Sequence, residues 1–238
     1  MSEVVVVTGS SSGIGRAVAE RFAREGARVV VNSSRSVDEG EAFARSLPEA
    51  VYVQADVSRE EDARRLVETA LERFGRLDAV VNNAGTTRRV AFRDLDGADD
   101  ELWRRILAVN LMGPWYVSRA AVAALREAKG SIVNVGSVSG IVAGGSSLPY
   151  AVSKAALHHL TRTLAQALAP DVRVNAVAPG LVETPWTAGW EANEAIVSRT
   201  PLGRAATPDD VADAVAFLAR TPFATGRVVV VDGGLTLT

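Results

Sequence analysis

Short valine-rich runs recur along the chain and alternate with longer amphipathic stretches. The runs are Val4–Val7, Arg28–Asn32, Val51–Gln54, Ala79–Asn82, Ser131–Val135, Arg173–Val177 and Arg227–Val231. They lack a regular polar alternation, which is typical of strands that are buried on both faces. Between them, apolar residues repeat at spacings of three and four, as on one face of a helix. This alternation predicts an α/β fold, a doubly wound parallel sheet of about seven strands with helices on both faces.

The bulk composition fits one globular domain. The chain has 238 residues, 47% of them hydrophobic and 23% charged, and no linker or internal repeat interrupts it, so residues 1–238 are interpreted as a single domain. The net charge of −2 argues against nucleic acid as a partner. The absence of cysteine excludes disulfides and thiolate metal sites. An acidic start and an apolar run of only four valines favour neither a secretion signal nor a membrane span, and we expect a cytoplasmic protein.

Three helix starts are predicted from capping patterns. Ser36 with Glu39 and Ser58 with Glu61 have the spacing of a capping box. Thr207 precedes Pro208, which places a capping residue before proline at the first helical position.

The segment near 184–207 breaks the alternation of strands and helices. It contains Trp186, Trp190 and two prolines, and it follows a strand end, where open α/β sheets bind ligands. One interpretation is a segment that covers the substrate. The other is a surface insertion whose tryptophans pack on the core, and the sequence leaves both open.

A glycine-rich turn follows the first strand. The chain reads Thr8-Gly9-Ser10-Ser11-Ser12-Gly13-Ile14-Gly15 and continues into a helical pattern. Glycines permit a tight turn and a close approach of the backbone to a pyrophosphate, and a helix N-terminus attracts phosphate. After a first strand and before a helix, this pattern predicts a dinucleotide site.

The end of the second strand bears on which dinucleotide binds. An NAD site usually places an acid here for the ribose 2′-hydroxyl, but this chain reads Asn32-Ser33-Ser34-Arg35. A serine and Arg35 would instead suit a 2′-phosphate. The pattern favours NADP(H), with NAD(H) as the alternative if Arg35 is only a solvated turn residue.

Tyr150 and Lys154 are four residues apart in a predicted helix and therefore share one face. A phenol has a pKa of about 10, and a nearby ammonium would lower it toward the working pH of an acid–base catalyst. Lysine is rare here, since Lys129 and Lys154 are the only two among 26 basic residues. Such pairs are nevertheless common in helices, and this one carries little weight alone.

Further motifs join these features in a fixed order. They are Asn82-Asn83-Ala84-Gly85, Asn110, Ser137 and Tyr150-Ala151-Val152-Ser153-Lys154. With the glycine-rich turn they resemble the short-chain dehydrogenase/reductase family in its single-domain, Rossmann-like form, and the chain is similar to 3-oxoacyl-carrier-protein reductases within it. The resemblance covers essentially the whole chain.

The resemblance implies a catalytic set of Asn110, Ser137, Tyr150 and Lys154. Tyr150 would donate and accept the proton, and Ser137 would bind the substrate oxygen. Lys154 would bind the nicotinamide ribose, and Asn110 would hold a water for proton relay. From the residues alone, the Ser137 pattern is more typical of a turn residue, with Ser139 a weaker candidate for its role, and Asn110 could be a buried structural asparagine.

The resemblance and the strand-end motifs together imply a set of residues that bind the dinucleotide. These are Thr8, Gly9, Ser11, Ser12, Gly13, Ile14, Gly15, Asn32, Ser33, Ser34, Arg35, Asp56, Val57, Asn82, Ala84, Gly85, Tyr150, Lys154, Pro179, Gly180, Val182 and Thr184. No metal site is expected, because the adjacent His158 and His159 face different sides of a helix and no third ligand has a recognisable spacing. We interpret these histidines as packing or interface residues.

The substrate side is less clearly marked. The apolar residues Trp186, Trp190, Ile141, Val142 and Leu148 suggest a pocket wall. Arg88 and Arg89 could meet an acidic carrier, although paired surface arginines are more often only solvated.

The hypothesis from the sequence is therefore an oxidoreductase that uses NADPH to reduce a ketone or 3-oxoacyl group, free or carrier-bound, or that runs the reverse reaction. The alternatives are an NAD-dependent alcohol or sugar dehydrogenase and, from another class, a non-catalytic dinucleotide-sensing regulator. The resemblance implies a homotetramer or homodimer built on the helices near Asp99–Leu125 and Tyr150–Ala169. Neither a membrane nor a nucleic acid is expected as a partner.

Overall fold

One parallel sheet organises the chain in a computed structural model that describes residues 2–190 and 193–238. Its strands are β1 (Val4–Val7), β2 (Arg28–Ser33), β3 (Ala50–Gln54), β4 (Ala79–Asn82), β5 (Ser131–Val135), β6 (Arg173–Pro179) and β7 (Val228–Val231). They lie in the order β3-β2-β1-β4-β5-β6-β7, and every neighbouring pair is parallel. The Rossmann-like doubly wound sheet predicted from the valine runs is confirmed.

Helices cover both faces of this sheet. They are α1 (Gly13–Arg24), α2 (Val37–Ser46), α3 (Glu60–Phe74), α4 (Asp100–Leu107), α5 (Gly113–Ala128), α6 (Leu148–Leu168), α7 (Asn193–Arg199) and α8 (Pro208–Arg220). Alternate valines of β1 serve the two layers, because successive strand residues point to opposite faces. Val5 and Val7 pack with α1, α2 and α8, whereas Val4 and Val6 pack with α3, α5 and α6. All four are fully buried, and burying such a side chain stabilises the fold by about 1.5–3 kcal/mol.

The order of the strands reverses at β1. This strand pairs with β2 on one side and with β4 on the other. The loops that leave β1 and β4 therefore diverge to opposite faces, and a crevice opens between them at the carboxyl ends of the strands. The topology thus places the ligand site at that edge.

Two local predictions were wrong. Strand β7 is not buried on both faces, since Val229 and Val230 are 37% and 40% exposed at the edge of the sheet. Neither predicted serine capping box forms: Ser36 makes no capping hydrogen bond, and α3 starts only at Glu60. The Ser58 hydroxyl instead donates to Asp56.

Two of the three predicted helix starts are confirmed. Ser36 is the residue immediately before α2, although its side chain makes no capping hydrogen bond. Thr207 caps α8, and the side chain of Asp210 reaches back to the Thr207 backbone, so the two form a reciprocal capping box.

The segment between β6 and α8 begins and ends at one place. Val182 pairs with Ala206 through two backbone hydrogen bonds. The Glu183 N–H donates to the Ala206 carbonyl, and the Ala206 N–H donates to the Leu181 carbonyl. Apart from α7, the described part of this segment consists of turns. This segment therefore leaves the carboxyl edge of the sheet after β6 and returns to it at Ala206.

Candidate active site

A cavity of about 980 Å³ lies at the carboxyl edge of the sheet. Its walls come from the loops that follow β1 through β6, from the first turns of α6 and from the segment after β6. It is large enough for a dinucleotide and a small substrate, because typical ligand pockets span roughly 300–1,000 Å³.

The glycine-rich turn forms one end of this cavity. Gly9 and Gly13 have φ values of +62° and +56°, a backbone conformation that favours glycine. A Cβ at Gly15 would overlap the carbonyl oxygen of Gly9, so the turn can lie against α1 only with glycine there. Ser12 makes no capping hydrogen bond, and the first N–H groups of α1 face the cavity uncapped. The turn therefore fits a pyrophosphate, which a helix N-terminus binds through these groups.

The residues at the end of β2 divide into a structural and an exposed pair. Asn32 is buried, accepts a hydrogen bond from the Gly9 backbone and donates to two carbonyl groups near β3. The Ser33 hydroxyl donates to the carbonyl of Ser36 and shares a hydrogen bond with the phenol of Tyr52. Ser34 and Arg35 are exposed and line the cavity. Of the residues predicted to bind a 2′-phosphate, Ser34 and Arg35 therefore have side chains that face solvent, whereas the Ser33 side chain is buried.

Tyr150, Lys154 and Ser137 meet at the other end. The first two lie one turn apart on α6, and Ser137 follows β5. The Lys154 ammonium lies 5.7 Å from the centroid of the Tyr150 ring and donates a 2.8 Å hydrogen bond to the carbonyl of Val135. The Ser137 hydroxyl accepts from the Ser139 backbone and so caps the short turn at Val138–Gly140, and it also lowers the pKa of the Tyr150 phenol in part. All three residues line the cavity.

Burial is the main influence on the pKa values of Tyr150 and Lys154. It raises the pKa of the Tyr150 phenol, and the hydrogen bond from Ser137 only partly opposes this. Burial also lowers the pKa of the Lys154 ammonium to about 8. The phenol is therefore stabilised in its protonated form, opposite to the lowered pKa expected from the sequence, because loss of water is the dominant influence on it.

Asn110 lies behind the cavity wall rather than on it. It sits in a π-helical turn at Ala108–Met112 between α4 and α5, a distortion that often marks functional sites. It is fully buried and accepts a hydrogen bond from the Thr86 backbone. Its amide donates to the carbonyl of Thr86 and to the Ser153 hydroxyl. Asn110 thus joins the loop after β4 to α6, within the turn that carries Tyr150 and Lys154.

Most of the residues predicted to bind the dinucleotide line the cavity. They are Gly9, Ser11, Ser12, Gly13, Ile14, Asn32, Ser33, Ser34, Arg35, Asp56, Val57, Ala84, Gly85, Tyr150, Lys154, Pro179, Gly180, Val182 and Thr184. Thr8, Gly15 and Asn82 lie behind the wall. The Thr8 hydroxyl accepts from two backbone N–H groups after β4, and the Asn82 amide donates to Asn134 and Ser118. These side chains hold the loops of β1, β4 and β5 together.

Similarity to known proteins shows the family of this chain. Residues 9–236 match the family model described as enoyl-(acyl carrier protein) reductase. The chain also superposes with a TM-score of 0.92 on a short-chain dehydrogenase/reductase from Burkholderia xenovorans, with 38% identity and coverage of 100% of this chain and 99% of that one. The chain belongs to the short-chain dehydrogenase/reductase family. It is accordingly an oxidoreductase that acts on CH–OH or C=O groups with a nicotinamide dinucleotide, and the alternative of a non-catalytic regulator is set aside.

Two curated members of the short-chain dehydrogenase/reductase family have informative names. A ketoacyl reductase 2 of the granaticin polyketide synthase from Streptomyces violaceoruber is 54% identical, covering 98% of this chain and 96% of its own. A 3-oxoacyl-[acyl-carrier-protein] reductase from Thermotoga maritima is 40% identical, covering 99% and 98%. The similarity to 3-oxoacyl reductases inferred from the motifs is confirmed.

The substrate side of this family member differs from the sequence-based prediction. Val142, Trp186 and Trp190 line the cavity as expected, but Ile141 and Leu148 do not. Leu148 begins α6, and Ile141 is half exposed. The apolar wall is completed by Leu181, Ile196 and Leu235. None of these three residues was predicted from the sequence. Leu235, with its neighbours Thr236 and Thr238, reaches the cavity only through the tertiary fold.

The two histidines have different surroundings. His158 is buried, and burial together with the charges of Lys154 and Arg162 lowers its pKa to about 4. Its Nε2 atom has no hydrogen-bond partner within the described part of the chain, whereas His159 is exposed. His158 packs against Gly136 and Gly140, which flank Ser137. Among residues 2–190 and 193–238, no group of three possible ligands could hold a metal ion.

The paired arginines near the cavity are both engaged by this chain. Arg88 donates to the carbonyl of Gly97 and forms an ion pair with Asp99. The Arg89 guanidinium lies 5.6 Å from the ring centroid of Trp190.

None of the described helices has both the length and the apolar character needed to cross a bilayer.

Proposed function

We propose that this protein uses NADPH to reduce a ketone or 3-oxoacyl group to the hydroxyl, or runs the reverse reaction. The observation that carries this proposal is the meeting of Ser137 and Tyr150 beside the buried ammonium of Lys154. A carbonyl oxygen accepts two hydrogen bonds, and these residues offer two hydroxyl donors. The names of the two curated relatives, both 3-oxoacyl or ketoacyl reductases, support the same substrate class.

The catalytic roles follow from the chemistry of each side chain. When bound, the nicotinamide supplies or accepts the hydride. Ser137 donates a hydrogen bond to the substrate oxygen, and Tyr150 gives its proton to the alkoxide as it forms. The raised pKa of Tyr150 keeps the phenol protonated at neutral pH, as an acid requires.

Lys154 and Asn110 support the proton donor. The ammonium of Lys154 is oriented by the Val135 carbonyl, lies beside the phenol, and is assigned to the nicotinamide ribose. We assign to Asn110 the holding of a water that returns the proton from solvent to Lys154. Its hydrogen bonds to Thr86 and Ser153 fix it next to the turn that carries both.

The preference for NADPH over NADH rests on the end of β2. Ser34 and Arg35 are exposed at the cavity wall, and no carboxylate stands among the four residues from Asn32. Arg35 would pair with the 2′-phosphate as a charge-assisted ligand. The remaining predicted contacts, among them Asp56 at the adenine and Thr184 at the carboxamide, are proposed on the same footing.

A panel of substrates tests the reaction. Purified protein with NADPH is offered a 3-oxoacyl thioester, an enoyl thioester and simple ketones, and NADPH oxidation is followed. We expect reduction of the ketones or the 3-oxoacyl thioester but not of the enoyl thioester, because Ser137 and Tyr150 are placed to bind the oxygen of the carbonyl that is reduced, whereas enoyl reduction adds hydride to a carbon two bonds away from the thioester carbonyl. A Tyr150→Phe variant controls for reduction by a contaminant. Turnover of the enoyl thioester alone would contradict the proposal.

Direct titration tests the cofactor preference. NADPH should bind at least about tenfold more tightly than NADH, because a charge-assisted phosphate contact contributes roughly 1.5–3 kcal/mol. Arg35→Ala should abolish the difference and Ser34→Asp should reverse it, whereas Arg45→Ala, an exposed arginine on α2 outside the cavity, should change nothing. Ser33→Asp is a poor test, because its carboxylate would be buried against Tyr52. Equal affinities in the wild type would show that Arg35 is a bystander.

We further propose that the chain works as a single dinucleotide-binding and catalytic domain within a homodimer or homotetramer. Support for association comes from exposed apolar residues near the β7 edge. Phe217 and Phe223 are 65% and 102% exposed, and Val229 and Val230 of β7 are partly exposed. Exposed large apolar side chains of this kind are common at protein interfaces. Light scattering coupled to size exclusion measures the mass, and a monomer at assay concentration would contradict the proposal.

A further inference from the structure

Two tryptophans line the cavity, and both belong to the segment that follows β6. The chain has four tryptophans and three tyrosines, and three of these seven residues, Trp186, Trp190 and Tyr150, line the cavity. The turn that carries the tryptophans is anchored. The Thr187 hydroxyl donates to the Val182 carbonyl, and the Thr187 carbonyl accepts from the Trp190 backbone. The two indoles are thus held at the site rather than packed into the core.

Trp186 flanks the proposed proton donor. Its ring centroid lies 6.4 Å from that of Tyr150, and the rings meet edge to face at 70°. On another side, the indole lies 3.4 Å from where a Cβ of Gly85 would stand, so a larger residue there would crowd the ring. Despite these contacts Trp186 remains 42% exposed. An apolar ring left this exposed beside the reacting position is available to a ligand.

Trp190 adds a second indole to the lining of the cavity. The Arg89 guanidinium lies 5.6 Å from its ring centroid, a cation–π distance that holds the indole in place. Trp186, Trp190 and Tyr150 all line the cavity, so aromatic rings make up part of its lining where the segment after β6 meets it.

Resting on the proposed carbonyl reduction, we propose that the preferred substrate is a ketone with a flat aromatic ring that lies against the aromatic platform of Trp186 and Trp190. Aromatic faces attract other π systems beyond the effect of buried area, by about two- to tenfold in affinity for each contact. A saturated ring or an alkyl chain buries the same area but lacks this attraction. The platform therefore selects for planarity next to the reduced carbonyl.

A matched pair of ketones tests this inference. 2-Tetralone and 2-decalone share the bicyclic skeleton and the position of the carbonyl, but only the first has an aromatic ring. We expect kcat/KM with NADPH to be at least about fivefold higher for 2-tetralone, through a lower KM. In Trp186→Leu the ratio should fall toward unity, and Trp186→Phe should recover part of it. Trp115→Phe, a tryptophan on α5 outside the cavity, should leave the ratio unchanged.

A binding readout that is independent of turnover accompanies these rates. 2-Naphthol should inhibit more strongly than decahydro-2-naphthol in the wild type, and the difference should shrink in Trp186→Leu. A wild-type ratio near unity, or a ratio that Trp186→Leu does not change, would overturn the platform while carbonyl reduction stands. Reduction of the 3-oxoacyl thioester with neither bicyclic ketone turned over would overturn it equally. If no carbonyl compound is reduced at all, the proposed function itself fails and the platform falls with it.

Discussion

The side-chain nitrogen of Lys154 lies 5.7 Å from the centroid of the Tyr150 ring, and both residues line the cavity together with Ser137. Burial acts on them in opposite directions. It raises the pKa of the phenol and lowers that of the ammonium, so both are driven toward their neutral forms. This arrangement favours a proton donor that works in the direction of carbonyl reduction.

Removing the phenol hydroxyl should abolish most turnover. In Tyr150→Phe we expect kcat for ketone reduction to fall about 10²- to 10⁴-fold, the usual contribution of a general acid. Tyr116→Phe, on α5 and outside the cavity, should retain wild-type kcat. Steady-state rates with NADPH measure both. A loss of less than about fivefold in Tyr150→Phe would mean that another group delivers the proton.

The rate of carbonyl reduction should decline at alkaline pH because of Lys154. Its lowered pKa of about 8 means that the ammonium is present below that pH and is lost as the pH rises through it. Tyr150, whose pKa is raised, stays protonated throughout this window. A pH profile of kcat/KM measures the midpoint. A profile that is flat to about pH 10, the ordinary range of a lysine, would contradict the assignment.

His158 should make the fold sensitive to mild acid. Its pKa is about 4 in the folded protein against an ordinary value of 6.5. As the pH falls from 6.5 toward 4, the unfolded chain binds a proton that the folded chain refuses, and stability is lost. The full loss is roughly 3 kcal/mol for a shift of this size. Above the ordinary value the residue has no such effect.

Urea unfolding at several pH values measures this dependence. His158→Gln should flatten the slope of unfolding free energy against pH between about 4 and 6.5, whereas His159→Gln, its exposed neighbour, should leave the slope unchanged. The slope decides the matter, because the absolute stability of His158→Gln also reflects changed packing. Identical slopes in both variants would show that His158 is not the group responsible.

The loop that carries Ser137 should tolerate a methyl group at only one of two nearby glycines. A Cβ at Gly136 would overlap Nε2 of His158 and lie 3.0 Å from the Val177 carbonyl. Gly136→Ala should therefore destabilise the protein by about 1–3 kcal/mol and raise KM as Ser137 shifts. Gly144 has no heavy atom within 4 Å of such a Cβ, and Gly144→Ala is the matched control. Thermal unfolding and substrate kinetics compare them, and equal behaviour would disprove the tight packing of this loop.

Local sequence determined the elements that local chemistry controls. Strands buried on both faces need mostly apolar, β-branched residues, and five of the seven valine runs are covered in this way, the exceptions being the two edge strands β3 and β7. The spacing of Tyr150 and Lys154 placed them one turn apart on α6, because helix geometry is the same everywhere. Thr207 capped α8 as predicted, since the bonds it needs lie within three residues of it.

Features that depend on distant neighbours could be decided only by the tertiary structure. Strand β7 has the same valine pattern as its neighbours, but its place at the sheet edge leaves it exposed. Ser58 has the capping spacing, yet it bonds to Asp56 in the loop after β3 and α3 begins beyond it.

The same division holds at the site. Sequence motifs marked the glycine-rich turn, Ser137, Tyr150 and Lys154, because each motif is short and contiguous. The protonation of Tyr150, by contrast, reflects burial by the surrounding elements, and Leu235 reaches the cavity from the far end of the chain. Residue identity and spacing therefore determined which groups this protein possesses. Packing over long sequence distances decided how deeply these groups are buried. Because burial removes water from them, it also decided whether each group is protonated at a given pH.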